Sequence, residues 1–180
     1  MDTRTQTQTH NNDGVATLAV LHRKLKGGYV KRYHTRPELA DHQDVAAHSW
    51  RAAVLLHTLW PDTSKECLLH MLYHDVPEGE LGDLPATTKW RHPILADCMA
   101  TLEQAVEQEL GINIPLSEEE TGICDTCDKL ELMLHCHRLY KMGNTFALDV
   151  FKRGGNYLTK YHAQPWFAPA LQLIGMLDED

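Results

Sequence analysis

The sequence predicts an all-α fold, a single globular helical bundle, and three observations carry that prediction. Apolar residues recur at spacings of three and four along most of the chain. No segment alternates with period two among β-branched residues. Capping residues and glycine or proline stops bracket the periodic stretches.

The elements follow in order. Residues 1–12 are rich in Thr, Gln and Asn and are expected to be a disordered tail, leaving 13–180 as one domain without internal repeats. From Asp13 the positions Val15, Leu18, Leu21, His22 and Leu25 trace one helical face, which Gly27–Gly28 ends. A polar connector follows, holding Asp41 and His42 as possible neighbours of Arg32. Asp44 is placed to cap the next helix, which Pro61 stops. Thr63 or Ser64 opens a third helix, which Pro77 should end or bend just after His74–Asp75. The stretch 78–93, with Gly79, Gly82 and Pro85, reads as loop. A long amphipathic helix then ends at Gly111, a natural left-handed cap. Ser117 with Glu120 fits a capping box for a helix over about 118–141. Another is expected over about 145–161, broken at Gly154–Gly155, and a last short one after Pro165 and Trp166.

Composition narrows the function classes. The chain has 180 residues, 43% hydrophobic and 23% charged, enough to bury a core without disulfides. A net charge of -8 argues against wrapping duplex nucleic acid, while leaving room for a small anionic substrate where a few cations converge. No apolar run approaches a membrane span, and the polar start MDTRTQTQTHNNDG lacks the apolar centre of a signal peptide. Five Cys, an odd number, read as free thiols of a reducing compartment, so a cytoplasmic location is expected. Twelve His raise the prior for metal chemistry.

The strongest local signal is His74–Asp75 near the end of an apolar helix. Adjacent helical side chains diverge by roughly 100°, so the two converge on one ion only where helices meet. The turn at Pro77 would let Glu78 approach the same point. His48, in the first turn of its helix, and Asp128, on a later one, are further candidates. Two imidazoles and two carboxylates make a mixed nitrogen and oxygen set suited to Mn, Fe, Co, Ni or Zn. Taken singly, each of the four is more often a surface group or a cap. His57, His70, His135 and His137 are alike in composition and are assigned to packing or surface.

The order His48, His74–Asp75, Asp128 resembles the H…HD…D signature of the HD phosphohydrolase superfamily. More narrowly, AAHSW, LLHMLYHDVPEGELGDLPATTKW and CDKLE resemble the HD-domain 5′-deoxynucleotidases, over roughly residues 31–151. The resemblance implies an HD-domain bundle acting as a metal-dependent phosphohydrolase on deoxynucleotides, most simply deoxynucleoside 5′-monophosphates. It implies His48, His74, Asp75 and Asp128 as ligands of a divalent ion (Co, Mn, Zn, Mg, Fe or Ni), with Glu78 managing the attacking water. Arg32 would contact the phosphate, Tyr33 would stand at the sugar or base wall, Asp83 would favour deoxyribose, and Lys89 would add a second positive contact. It also implies a homo-oligomer.

Two departures from that pattern stand out. The usual Arg-Trp-Pro reads Arg32–Tyr33–His34, and Ala47 replaces the common Glu before His48. The first keeps open a related viral activity on the same scaffold, release of triphosphate from deoxynucleoside triphosphates. A non-catalytic nucleotide- or protein-binding module is the remaining alternative. Cys124 and Cys127 form a C-x-x-C, but the spacing to His135 and His137 is wrong for a zinc finger, and the pair falls mid-helix. Lys152–Arg153–Gly154–Gly155 lacks the pattern of a phosphate loop.

Overall fold

The structure, a computed structural model, describes residues 17–35, 39 and 43–179. The expected tail over 1–12, the start of the first helix at Asp13, and Asp41 and His42 lie outside the described residues. Among the described residues the fold is all-α, with one isolated bridge between Lys31 and Asp44. The described backbone falls into two compact units, one comprising the described residues within 31–74 and 114–179 and the other those from 17 to Val30 with Asp75–Asn113.

The larger unit is built on α2 (Val45–Leu59), α3 (Lys65–Tyr73), α7 (Glu118–Lys141), α8 (Ala147–Leu158) and α9 (Ala168–Glu179), with 3₁₀ turns at Thr159–Tyr161 and Pro165–Phe167. Local chemistry sets the helix starts. The Asp44 carboxylate accepts from Ala47 N at 2.9 Å, and Ser64 Oγ accepts from Cys67 N at 3.3 Å. The capping box closes in both directions between Ser117 and Glu120, and Glu120 also accepts from Ser64 Oγ at 2.6 Å, tying the starts of α3 and α7 together. Helix α7 is the axis of this unit, packing against α2, α3 and α8. Its inward residues Ile123, Cys127, Leu130, Met133 and Cys136 meet Ala52, Leu56, Cys67, Met71, Phe151 and Leu158 in one core. Cys124 and Cys127 are mid-helix, buried and free.

Gly154–Gly155 does not break α8, against expectation. A Cβ on Gly154 would sit 2.6 Å from Met133 Cγ, so the glycine is there to let α8 close on α7. A contact between helices, not a turn, accounts for the residue.

The smaller unit holds α1 (residues 17–27), α4 (Glu78–Leu81), α5 (Ala86–Arg91) and α6 (Pro93–Leu110). The stretch 78–93, expected as loop, thus carries two short helices; Pro77 and Pro85 occupy their N-cap positions. Gly111 ends α6 in the left-handed conformation, φ 63° and ψ 42°. The guanidinium of Arg23 bridges Glu80 (2.6 Å) and Glu109 (2.7 Å), joining α1, α4 and α6. Helix α1 meets the 76–79 segment backbone to backbone, because Gly27 and Gly79 have no side chains to hold them apart.

Candidate metal centre

Three of the four expected ligands fall in the larger unit, and the fold brings them together. His48 is the fourth residue of α2, His74 caps the C-terminus of α3, and Asp128 lies in the middle of α7. His48 Nε2 is 3.1 Å from Asp128 Oδ1 and 3.3 Å from His74 Nε2, and His74 Nε2 is 4.0 Å from the same oxygen. One donor atom from each residue lies within 4.8 Å of the other two. His48 is fully buried, while His74 and Asp128 are partly open.

Both rings are oriented by their other nitrogen. His74 Nδ1 lies 3.1 Å from the carbonyl of Met71, and His48 Nδ1 lies 2.6 Å from Glu131 Oε2. A carbonyl and a carboxylate can only accept, so each Nδ1 carries the proton. Each Nε2 is left to face the shared point. Two nitrogen lone pairs and a carboxylate oxygen pointing at one spot repel unless a positive species sits among them. That donor set fits a first-row divalent ion, with histidines held from behind by hydrogen-bond acceptors. Without an ion, a proton meets the same demand. Burial works to lower the pKa of His48, but its bonds to Asp128 and Glu131 outweigh that and raise it to about 9. Burial likewise opposes the charge on Asp128, yet Lys129, His48 and His74 hold its carboxyl well below the usual range. Metal and proton therefore compete for one position.

Asp75, bonded directly to His74, begins the smaller unit. There its carbonyl accepts from the N–H of Glu78 at 3.1 Å, in the turn that starts α4. Asp83 sits half-buried between α4 and α5. Lys89, on α5, has its ammonium 3.0 Å from Glu103 of α6, so the proposed phosphate contact already has a carboxylate partner.

Arg32 and Tyr33 belong to the larger unit. The N–H of Arg32 donates to the carbonyl of Gln43 at 2.8 Å, beside the start of α2, and its positive charge works to lower the pKa of His48. Tyr33 has φ 59° and is the one non-glycine residue with positive φ among the described residues. Its ring stacks on His135 at 5.3 Å, and the Arg32 guanidinium lies 5.6 Å from the ring centroid. A bulky residue held in left-handed backbone costs roughly 1–2 kcal/mol, a strain that surrounding structure must enforce. His135, assigned to packing, does pack, and it packs against this residue.

Two residues that sequence reasoning passed over stand against the cluster. Glu131 holds His48, and the Lys129 ammonium lies 2.6 Å from Asp128 Oδ2. The signal for Glu131 was its place three residues after Asp128, one turn along the same face. Arg51 bears the same relation to His48.

A family model described as 5′-deoxynucleotidase YfbR-like matches residues 18–164. A 5′-deoxynucleotidase of Vibrio vulnificus (strain YJ016) is 29% identical over 131 residues, covering 59% of this chain and 68% of the relative.

Proposed function

The chain belongs to the YfbR-like 5′-deoxynucleotidase family of the HD-domain superfamily and is a hydrolase, and we propose that it cleaves deoxynucleoside 5′-monophosphates to deoxynucleosides and orthophosphate. The convergence of His48, His74 and Asp128 on one point is the observation that carries this reading.

In the proposed reaction, His48, His74 and Asp128, with Asp75 as fourth ligand, hold a divalent ion. When bound, such an ion lowers the pKa of water and polarises a phosphoryl oxygen. Arg32 binds the phosphate oxygens and places phosphorus for in-line attack, which suits its position beside His48. Glu78 takes the proton of the attacking water as the new P–O bond forms. The bond to O5′ breaks, and that oxygen takes a proton from solvent to leave as the 5′-hydroxyl of the nucleoside, while Glu78 gives its proton back to solvent. Asp83 reads the deoxyribose, and Tyr33 forms part of the sugar or base wall. Lys89 reaches the phosphate only if it gives up Glu103. No described helix is long and apolar enough to cross a membrane, and a cytoplasmic enzyme is our expectation. The exposed Trp50 and Val54 on α2 support a homo-oligomer.

The test is product analysis. The purified chain, stripped with chelator and reloaded with Mn²⁺ or Co²⁺, is given the deoxynucleoside mono- and triphosphates and the matching ribonucleotides. Orthophosphate from the deoxynucleoside monophosphates alone is the expected result. Triphosphate released from a deoxynucleoside triphosphate would reassign the chain to the triphosphohydrolases. No product with any metal would leave only the non-catalytic binding module.

A further inference from the structure

Helices α2 and α7 each present two residues, three apart, to the other. From α2 come His48 and Arg51; from α7 come Asp128 and Glu131. Asp128 is already placed at the metal centre. Glu131 has no part in the reaction described above, yet it is among the most buried charged groups in the larger unit, with its side chain 2% exposed.

Its two oxygens are used unequally. Oε1 accepts twice, from Gln43 Nε2 at 2.6 Å and from Arg51 Nε at 2.6 Å. Oε2 accepts once, from His48 Nδ1 at 2.6 Å. A buried carboxylate is costly unless paired and hydrogen-bonded. Here three donors, from Gln43, Arg51 and His48, meet its two oxygens.

We propose that Glu131 is a positioning residue for the metal centre: braced by Gln43 and Arg51, it fixes His48 as the Nδ1–H tautomer and so presents the Nε2 lone pair to the ion. This rests on the metal reading above and goes beyond it, because it assigns the control of metal affinity to a residue that touches neither metal nor substrate. The unequal bonding makes the idea sharply testable. In Glu131→Gln the shape is kept, but one oxygen becomes an NH₂ group. Two donors, Gln43 and Arg51, face one side of the group, and a single ring nitrogen faces the other. The amide oxygen stays with the two donors, so the NH₂ turns to His48. His48 Nδ1 must then accept, and its proton moves to Nε2, where the ion would bind. A carboxylate-to-amide change behind a catalytic histidine is known to preserve geometry while enforcing the wrong tautomer.

The experiment pairs Zn²⁺ calorimetry with ¹⁵N imidazole spectra of the full chain. Zinc-loaded wild type should carry the His48 proton on Nδ1. Glu131→Gln should keep its helical content and bind Zn²⁺ about 10–100-fold more weakly. Before zinc is added, its His48 should carry a proton on Nε2 and none on Nδ1. A loss of packing alone would not move that proton. Zinc affinity within two-fold of wild type, or a wild-type His48 protonated on Nε2 with zinc bound, would overturn the assignment. If Glu131→Gln does not fold, the wild-type zinc spectrum decides by itself. If the wild type binds no zinc at all, the metal reading fails and Glu131 loses its role with it, an outcome distinct from a wild type that binds and a variant that binds equally well.

Discussion

Gly27→Ala tests whether backbone contact in the smaller unit positions the segment that carries Asp75 and Glu78. Gly27 ends α1 against Val76, and a Cβ built there would lie 2.7 Å from both Val76 Cα and Val76 O and 3.1 Å from Val76 C. Carbon atoms pack best at about 3.5–4.0 Å, so the segment must retreat by roughly 1 Å. Backbone cannot rotate aside as a side chain can, and Gly79 sits in the same contact, 2.9 Å from Gly27 Cα if it too had a Cβ. Overpacking of this kind costs about 1–3 kcal/mol. The gain from restricting the unfolded chain, about 0.4–1 kcal/mol, acts in the opposite direction and is smaller. The expected net effect is therefore a loss of stability. The functional effect is expected to be larger in proportion, since a displacement of roughly 1 Å at reacting groups can cost about 10²-fold in rate. Urea unfolding followed by circular dichroism gives the first quantity, and kcat/KM for a deoxynucleoside monophosphate with Mn²⁺ gives the second. Gly175→Ala is the control: it lies exposed in α9 with nothing within 4 Å of a new Cβ. It should be neutral or stabilising by about 0.4–1 kcal/mol, with an unchanged rate. A Gly27→Ala protein as stable and as active as wild type would refute the reasoning.

Other consequences can be checked in the same way. Asp75→Ala should lose both metal and turnover, whereas Glu78→Ala should keep the metal and lose about 10²–10⁴-fold in rate; metal content falling in step with activity in the second would make Glu78 a ligand. Arg32→Ala should impair turnover of every deoxynucleotide equally, because a contact to phosphate carries no base information. Tyr33→Ala should change the ranking among bases, and the reverse pattern in kcat/KM would show the two roles exchanged. Glu120 gives a pH signature. The bonds from Ser64 and Ser117 hold its carboxyl down at about 2, against an ordinary value of 4.5, so its stabilisation is complete above 4.5 and is lost as pH falls through 2. The stability gap between wild type and Glu120→Gln should be constant near neutrality and close between those two values; a gap that widened on acidification would contradict the assigned bonds.

The helix starts at Asp44, Ser64 and Ser117 and the stop at Gly111 were legible in the sequence because their partners lie within a few residues. The same holds for the all-α class, which follows from the period of the apolar residues. The order of His48, His74–Asp75 and Asp128 pointed to a metal, since those residue types in that succession resemble a known signature. Nothing local, however, makes His48 meet Asp128, eighty positions away in the chain; the packing of α2 on α7 does. Tertiary structure also decided what composition could not separate. Gly154 reads as a helix stop until Met133 is seen beside it, and Tyr33 reads as an ordinary aromatic until its left-handed backbone and its stacking on His135 are seen. Glu131 reads as one more glutamate on a charged helix. Only the burial of that carboxylate between Gln43, Arg51 and His48 turns it into a fixed charge that can set a tautomer. A charge acquires that role from its surroundings, and those surroundings come from residues 43–51, eighty or more positions away in the chain.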